Sequence, residues 1–185
     1  SQRENFNKML CRICKIKIEK KNILKLKNMP PSAQAFKSTD VSHNKKTYNF
    51  SICKKCNVPQ ILNNPVSYYK ETIRSTNLSK ELIKIRLNQF QKFVKKNNLK
   101  NKKILEIGCN KGENIKILKN FAKNVFGIEF NKTSYDYCRK SKLNVYKYFL
   151  DNKNIKIPHK PFDAFFILNF LEHIPNLNIF FETLK

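Results

Sequence analysis

The sequence lacks any apolar run of the roughly 18 residues that a membrane-spanning helix needs. Its start, SQRENFNKMLCR, also lacks the apolar core of a secretory signal. No internal repeat and no low-complexity tail is present, because the lysine and asparagine bias extends over the whole chain. We therefore expect a cytoplasmic protein without a membrane partner. At 185 residues with 41% apolar side chains, the chain can form one medium domain or two small ones.

Acidic residues and arginine are scarce as well. Thirteen Asp and Glu residues stand against 38 Lys and Arg residues, which gives a formal charge of +25. A basic surface suits phosphate binding. However, only five of the basic residues are arginine, and arginine is the side chain that favours bidentate recognition of phosphates and bases. We interpret the lysines as solvated surface and expect no nucleic-acid partner.

Six cysteines in a chain without an export signal argue against a disulfide framework. Cys11 with Cys14, and Cys53 with Cys56, form two C-x2-C pairs. Four thiolates about 2.3 Å from a tetrahedral Zn²⁺ make a closed structural site, so this spacing predicts bound zinc. A redox pair is the weaker alternative because it needs only one C-x2-C motif. Cys109 and Cys138 are interpreted as packing residues.

The pattern of apolar residues predicts three parts. Residues 1–66 form a small zinc-binding module of short strands and loops, and residues 67–100 a connecting helical segment with Ser79 as the N-cap of a helix reaching Asn98. In residues 101–185, strands and helices alternate, which predicts a parallel α/β sheet with crossover helices. The expected strands are 103–107, 124–130, 144–149 and 162–168, and the expected helices are 113–121 and 133–141.

The stretch ILEIGCNKGENI predicts a strand that turns sharply into a helix. Glu106 ends the strand, Gly108 permits the tight turn, and Gly112 lets the backbone approach a ligand. A carboxylate before the turn suits an amine-bearing ligand better than a diphosphate. Glu129 ends the second strand, where an acid can accept from both hydroxyls of a ribose. The expected ligand is a nucleoside with an amino-acid tail.

ILEIGCNKG followed by VFGIE resembles motifs I and II of the class I methyltransferases that depend on S-adenosylmethionine (SAM). The resemblance covers Ile104 to about Phe181. It implies SAM as the cofactor and a Rossmann-like fold, here truncated after about four of the usual seven strands, with the fourth strand as a bare apolar edge. The cofactor-binding residues that it implies are Glu106, Gly108, Asn110, Gly112, Glu129, Phe130, Phe149 and Asn169.

The front half narrows this resemblance. The order CRIC, PPSAQAF, CKKCNVPQIL and PVSYYKETIRSTNLS is similar to the zinc-binding N-terminal module of sugar methyltransferases, which modify nucleotide-linked keto-deoxysugars, commonly at carbon. The resemblance implies a nucleotide-sugar substrate, Tyr68 and Tyr69 on the substrate side, and His173 beside Glu172 as a general base. The alternatives are packing for the tyrosines and a structural role for His173. The remaining histidines, His43 and His159, are expected to face solvent.

Two other functions stay open at this point. An RNA methyltransferase with an N-terminal zinc ribbon would account for the charge and the cysteine pairs, but not for the PPSAQAF and tyrosine segments. A non-catalytic, zinc-containing adaptor with a degenerate SAM fold is the third possibility. The sequence does not determine the acceptor sugar, its nucleotide, carbon or oxygen as methyl acceptor, or the oligomeric state.

Overall fold

The structure is a computed structural model that describes residues 9–30, 45–64, 70, 77–152 and 154–185. The chain forms two compact units, residues 1–73 with 175–178 and residues 74–174 with 179–185. His43 lies outside the described residues. The domain limits predicted from the sequence stay a prediction.

The first unit contains a three-stranded antiparallel sheet. Its strands are β1 (Leu24–Met29), β2 (Lys46–Ile52) and β3 (Pro59–Ile61), in the order β1-β2-β3. A 3-10 turn, Lys20–Asn22, precedes β1.

The buried core of this unit is small. Among the described residues, the buried members of its apolar cluster are Cys11, Ile18 and Cys53. Two of the three are cysteines, so burial of apolar side chains contributes little to the stability of the unit. A module of this kind is ordinarily stabilised by a metal or a cross-link.

The second unit is built on a parallel sheet, as predicted. Its described strands are β4 (Lys103–Ile107), β5 (Asn124–Ile128), β6 (Val145–Tyr146) and β7 (Ala164–Ile167), in the order β6-β5-β4-β7. After β6, the chain crosses to the other side of β4. In sheets of this type, ligands bind beyond the carboxyl ends of the strands where the strand order reverses. The topology therefore points to the segments that follow β4 and β7.

The strands differ in how closely they match prediction. β4 has the predicted bounds, and all its residues from Ile104 to Ile107 are buried, as expected for a central parallel strand. The predicted strand 144–149 reduces to Val145–Tyr146, because its register with β5 extends only over Gly127 and Ile128. β5 also ends two residues earlier than predicted.

Among the described residues, β7 pairs with β4 alone, and Phe165 on β7 is 48% exposed.

The described helices are α1 (Lys80–Lys96), α2 (Glu113–Leu118), α3 (Lys132–Lys140) and α4 (Leu177–Leu184). The predicted N-cap of α1 is confirmed, since the Ser79 side chain accepts a hydrogen bond from the Leu82 N–H. α2 ends three residues before the predicted Phe121. The Asn120 amide caps its end by donating to the Ile117 carbonyl at 2.8 Å. No helix in the described part of the chain is long and apolar enough to span a membrane.

The two isolated cysteines do pack in the core of the second unit, as predicted. Cys109 is 3% exposed and Cys138 is 0% exposed. They are not independent, however, because a hydrogen bond with Cys138, together with burial, raises the pKa of the Cys109 thiol. The apolar residues around them include Phe90, Val94, Ile104, Ile115, Leu118, Val125, Leu143 and Val145.

Candidate functional site

The turn after β4 depends on residues with a left-handed backbone. Gly108, Asn110 and Gly112 have φ angles of 74°, 47° and 71°. The N–H groups of Gly108 and Cys109 both donate to the Ile128 carbonyl, at 2.9 and 3.0 Å. The turn is thereby fixed against the end of β5, and α2 begins immediately after it.

Both glycines of this turn also lie where a side chain would meet a neighbouring side chain. A Cβ on Gly108 would lie 2.6 Å from Cγ of Phe170, and a Cβ on Gly112 would overlap Cδ1 of Leu143. Phe170 follows β7, so the loop after β7 packs directly against the glycine turn. Phe170 was not predicted as a site residue, because no local motif in the sequence indicates its contact with Gly108.

Glu129 closes the opposite side of the turn. Its Oε2 accepts from the Asn110 N–H and its Oε1 from the Asn131 N–H, each at 2.7 Å. Burial raises the pKa of Glu129, while these backbone hydrogen bonds oppose the rise. Each carboxylate oxygen has a second lone pair. The group can therefore accept from two neighbouring hydroxyls without leaving the turn.

Asn110 uses its side chain within the protein. Its Oδ1 accepts from the Ser134 hydroxyl at 2.8 Å, and its backbone carbonyl accepts from the Cys138 thiol at 3.2 Å. Asn110 therefore joins the turn to α3. The next residue, Lys111, is directed to the same helix, since its Nζ lies 5.9 Å from the centre of the Tyr137 ring.

Glu106 lies inside β4, one residue before the strand ends at Ile107, and only 1% of it is exposed. Its Oε1 accepts from Asn114 Nδ2 on α2 at 2.9 Å. Its Oε2 has no hydrogen-bond partner among the described residues, and neither does Asn114 Oδ1 or Arg86 Nε. Burial raises the pKa of Glu106 to about 8, against the opposing effect of the Asn114 hydrogen bond. The predicted role of Glu106 in cofactor binding stays a prediction.

Three phenylalanine rings lie together near the carboxyl ends of the strands. The Phe149 ring is 5.4 Å from that of Phe130 and 6.1 Å from that of Phe170, both edge-on. Phe149 is buried, whereas Phe130 is 40% exposed. Since Phe170 also contacts Gly108, these rings form an apolar surface next to the glycine turn. Phe130 and Phe149, both predicted cofactor residues, are thus brought together.

The predicted base lies on the loop after β7. His173 ends a 3-10 turn, Leu171–His173, and its N–H donates to the Phe170 carbonyl at 3.0 Å. Its Nε2 is 4.0 Å from Glu172 Oε1, and both side chains are exposed. Asn169 is exposed as well, with φ 52°. The imidazole is exposed, and its role as a base stays a prediction. Tyr68 and Tyr69, the other predicted catalytic residues, lie outside the described residues.

The cysteine pairs converge in the first unit. The sulfur atoms of all four cysteines lie within 4.8 Å of one another. Sγ of Cys11 is 3.6 Å from that of Cys56, and Sγ of Cys14 is 3.5 Å from that of Cys53. Tetrahedral zinc with sulfur ligands at 2.3 Å requires sulfur atoms about 3.8 Å apart. The donor set therefore fits zinc in both chemistry and spacing.

The two C-x2-C loops, Cys11–Cys14 and Cys53–Cys56, are called the first and second knuckle, and they share one backbone conformation. The N–H of Cys11 donates to the carbonyl five residues later at 2.8 Å, and the N–H of Cys53 does the same at 3.1 Å. Each of these cysteines also accepts, through its carbonyl, from the N–H of Lys15 or Asn57, which have φ 59° and 56°. This repeated loop directs both sulfurs of a pair to one side. It accounts for the convergence that the spacing predicts.

Hydrogen bonds to Cys11 favour its thiolate form. Burial on its own would raise the pKa of this thiol. Donation from the Gln60 side chain and from the backbone of Cys14 and Ile13 outweighs that effect and lowers the pKa to about 6. A thiolate is the form that binds a metal.

Comparison with known protein families gives one match, over part of the chain. Residues 105–185 match the family model described as a methyltransferase domain. Among curated proteins, none matches the chain. The predicted fold class is confirmed: the second unit is of mixed α/β type, with a Rossmann-like parallel sheet.

Solved structures of similar architecture include three bacterial or archaeal proteins. DesVI from Streptomyces venezuelae is 13% identical with a TM-score of 0.42, and the match covers 56% of this chain and 47% of DesVI. A SAM-dependent methyltransferase from Archaeoglobus fulgidus is 28% identical, with a TM-score of 0.44 and coverage of 57% and 45%. One from Clostridium acetobutylicum is 18% identical, with a TM-score of 0.43 and coverage of 54% and 42%. The chain spans less than half the length of each of these proteins.

Proposed function

We propose that the protein is a SAM-dependent methyltransferase. The observation that carries this proposal is the glycine turn between β4 and α2, closed by a Glu129 carboxylate whose two oxygens are both fixed by backbone N–H groups. The match of residues 105–185 to a methyltransferase domain supports it. Bound SAM would supply an electrophilic methyl group on its sulfonium.

The chain's own residues fit the parts of this cofactor. Glu129 would accept hydrogen bonds from the two ribose hydroxyls through the lone pairs that the backbone leaves free. The edge of the apolar surface at Phe130, which is 40% exposed, would pack against the adenine ring. The backbone of the glycine turn, which carries no side chain at Gly108 or Gly112, would lie against the amino-acid tail.

For the acceptor, we propose a nucleotide-linked keto-deoxysugar. The order of the CRIC, PPSAQAF, CKKCNVPQIL and tyrosine segments supports this choice. A sugar carbon next to a keto group loses its proton only to a base held within hydrogen-bond reach, about 2.6 to 3.2 Å. His173 is exposed on the loop whose Phe170 contacts the turn. It would take that proton and leave its electron pair on the sugar carbon, which is the nucleophile that methylation by bound SAM requires.

Zinc is proposed as the structural cofactor of the first unit. Cys11, Cys14, Cys53 and Cys56 would supply four thiolates and leave no position open for water. Because the apolar core of this unit is small, the unit would depend on zinc binding, which would contribute directly to its folding.

Calorimetry with SAM tests the proposal. We expect the protein to bind SAM, and Glu129→Gln to weaken binding by about 1.5–3 kcal/mol, the range for hydrogen bonds to charged groups. Glu182→Gln, at an exposed carboxylate on α4, is the matched control and should bind as the parent does. A parent protein that does not bind SAM would overturn the function, and equal affinity in both variants would overturn the role of Glu129.

An RNA substrate is the second candidate, and the formal charge of +25 favours it. If the lysines are only solvated surface, binding to structured RNA will be weak and will be lost between roughly 50 and 200 mM salt. A complex that survives this change and selects among RNA sequences would reverse the order of the two candidates.

A further inference from the structure

A buried glutamine lies beside the four cysteines. Gln60 is the middle residue of β3 and is 8% exposed. Its Nε2 donates to Sγ of Cys11 at 3.3 Å, and its Oε1 accepts from the Arg12 N–H at 2.8 Å. Of the two polar atoms of the Gln60 amide, only Oε1 can accept from the Arg12 N–H, so Nε2 must face the sulfur. Both ends of the side chain are therefore used on consecutive residues of the first knuckle.

Through its position in the chain, Gln60 connects the two cysteine pairs. The second knuckle, Cys53 to Cys56, forms the connection between β2 and β3. Gln60 follows it on β3 and pairs in register with Ser51, which precedes it on β2. The β2–β3 hairpin thus contains the second knuckle and also Gln60, whose side chain is hydrogen-bonded to the first knuckle. Apart from the cysteines themselves, Gln60 is the side chain among the described residues that links this hairpin to a sulfur of the first C-x2-C pair.

The chemistry of a four-thiolate centre favours such a donor. Zn²⁺ with four thiolates carries an excess negative charge, and each N–H donated to a sulfur reduces it. Groups that hydrogen-bond metal ligands also fix their orientation, and their loss ordinarily lowers metal affinity 10- to 100-fold. Burial strengthens the effect because water cannot replace the lost donor.

We infer that Gln60 is a positioning residue of the metal centre, which orients the Cys11 thiolate and the Arg12 peptide for zinc binding. This inference rests on the proposed zinc site. A second contact holds the same knuckle without touching sulfur, since Arg12 Nη2 donates to the Asn63 carbonyl at 2.7 Å. The knuckle should therefore keep its approximate position when Gln60 is replaced, and the loss should appear in the metal affinity.

The experiment compares the full chain with Gln60→Leu, Gln60→Glu and Ser51→Ala. Ser51→Ala is the matched control: Ser51 is also buried in this sheet, but its hydroxyl donates to the Asn22 carbonyl at 2.8 Å and contacts no sulfur. Zinc content and zinc affinity are measured by competition with a chelator. The chain is also loaded with Co²⁺, and its thiolate-to-cobalt absorption is recorded.

We expect Gln60→Leu to lower zinc affinity roughly 10- to 100-fold and to shift the cobalt spectrum. Gln60→Glu keeps the size and polarity of the buried side chain but turns an oxygen toward the thiolate, so its affinity should be at least as low. Ser51→Ala should keep the parent spectrum. A parent chain without zinc would overturn the metal centre itself. If the parent binds zinc and both Gln60 variants have the zinc affinity and the cobalt spectrum of the parent, only the role of Gln60 is overturned.

Discussion

The pairing of Glu106 with Asn114 makes a specific prediction about pH. Glu106 Oε1 accepts from Asn114 Nδ2, and the two remaining side-chain oxygens, Glu106 Oε2 and Asn114 Oδ1, are buried without a partner. Two acceptors cannot bond to each other, but a proton on Oε2 would provide a donor for Oδ1. The fold should therefore hold Glu106 as a neutral acid. Replacing it by glutamine puts an N–H₂ group where that proton would be.

The size of the effect follows from the pKa. Burial raises the pKa of Glu106 to about 8 from its ordinary value of 4.5, and each tenfold change in proton affinity is worth about 1.4 kcal/mol. Charges nearby act in both directions: Cys138 and Glu129 raise the pKa of Glu106, and Arg86 lowers it. Between pH 4.5 and 8 the folded chain keeps a proton that the unfolded chain has lost. The free energy of unfolding should therefore fall with rising pH, by roughly 5 kcal/mol in all.

Urea denaturation from pH 5 to pH 9 measures this loss. We expect Glu106→Gln to be close to the parent in stability at pH 5 and more stable at pH 9 by several kcal/mol, because the variant has no proton to lose. Glu182→Gln serves as the control for removal of an exposed carboxylate. If the free energy of unfolding changes with pH in the same way for the parent and for Glu106→Gln, the reasoning is refuted. The Glu106 carboxyl would then have the same pKa in the folded and the unfolded chain.

Three further predictions concern the turn, a helix cap and the proposed base. Gly112→Ala should lower the free energy of unfolding by about 2–5 kcal/mol, since a left-handed residue with a Cβ costs about 1–2 kcal/mol and overpacking against Leu143 about 1–3; urea melts would show it. Ser79→Ala removes the cap of α1 and should cost about 1 kcal/mol, whereas Ser79→Asp should cost little. His173→Asn should reduce turnover by about 10²- to 10⁴-fold at unchanged SAM affinity, and undiminished exchange of the sugar proton into deuterated water would contradict it.

Local signals determined the parts of the structure that matched prediction. The cap of α1 depends on Ser79 and on an N–H three residues later, and the position of β4 follows from the closely spaced apolar residues Ile104, Leu105 and Ile107. The convergence of the cysteines was also predictable, because each knuckle makes its own loop. In these cases the residues that form an element contain the information that places it.

Contacts between distant segments account for what the sequence did not predict. Phe170 meets Gly108 from 62 positions away, and Gln60 meets Cys11 from 49 positions away. The length of β6 depends on how far β5 runs beside it, not on the apolar residues of 144–149. The periodicity of apolar residues indicates which side of a helix or strand is buried, but it does not indicate which distant segment packs against that side.

The hydrogen bonds of Asn110 couple ligand binding at the glycine turn to the stability of α3. Its N–H bonds to Glu129, its side chain to Ser134 and its carbonyl to Cys138, so one residue joins the turn, the end of β5 and α3. A ligand that steadies the turn must also slow the opening of α3, because the same hydrogen bonds would have to break. Amide protons of α3 should then exchange more slowly with heavy water when the site is filled, although α3 itself need not touch the ligand. Hydrogen exchange along this helix would thus detect occupancy of the turn from a distance.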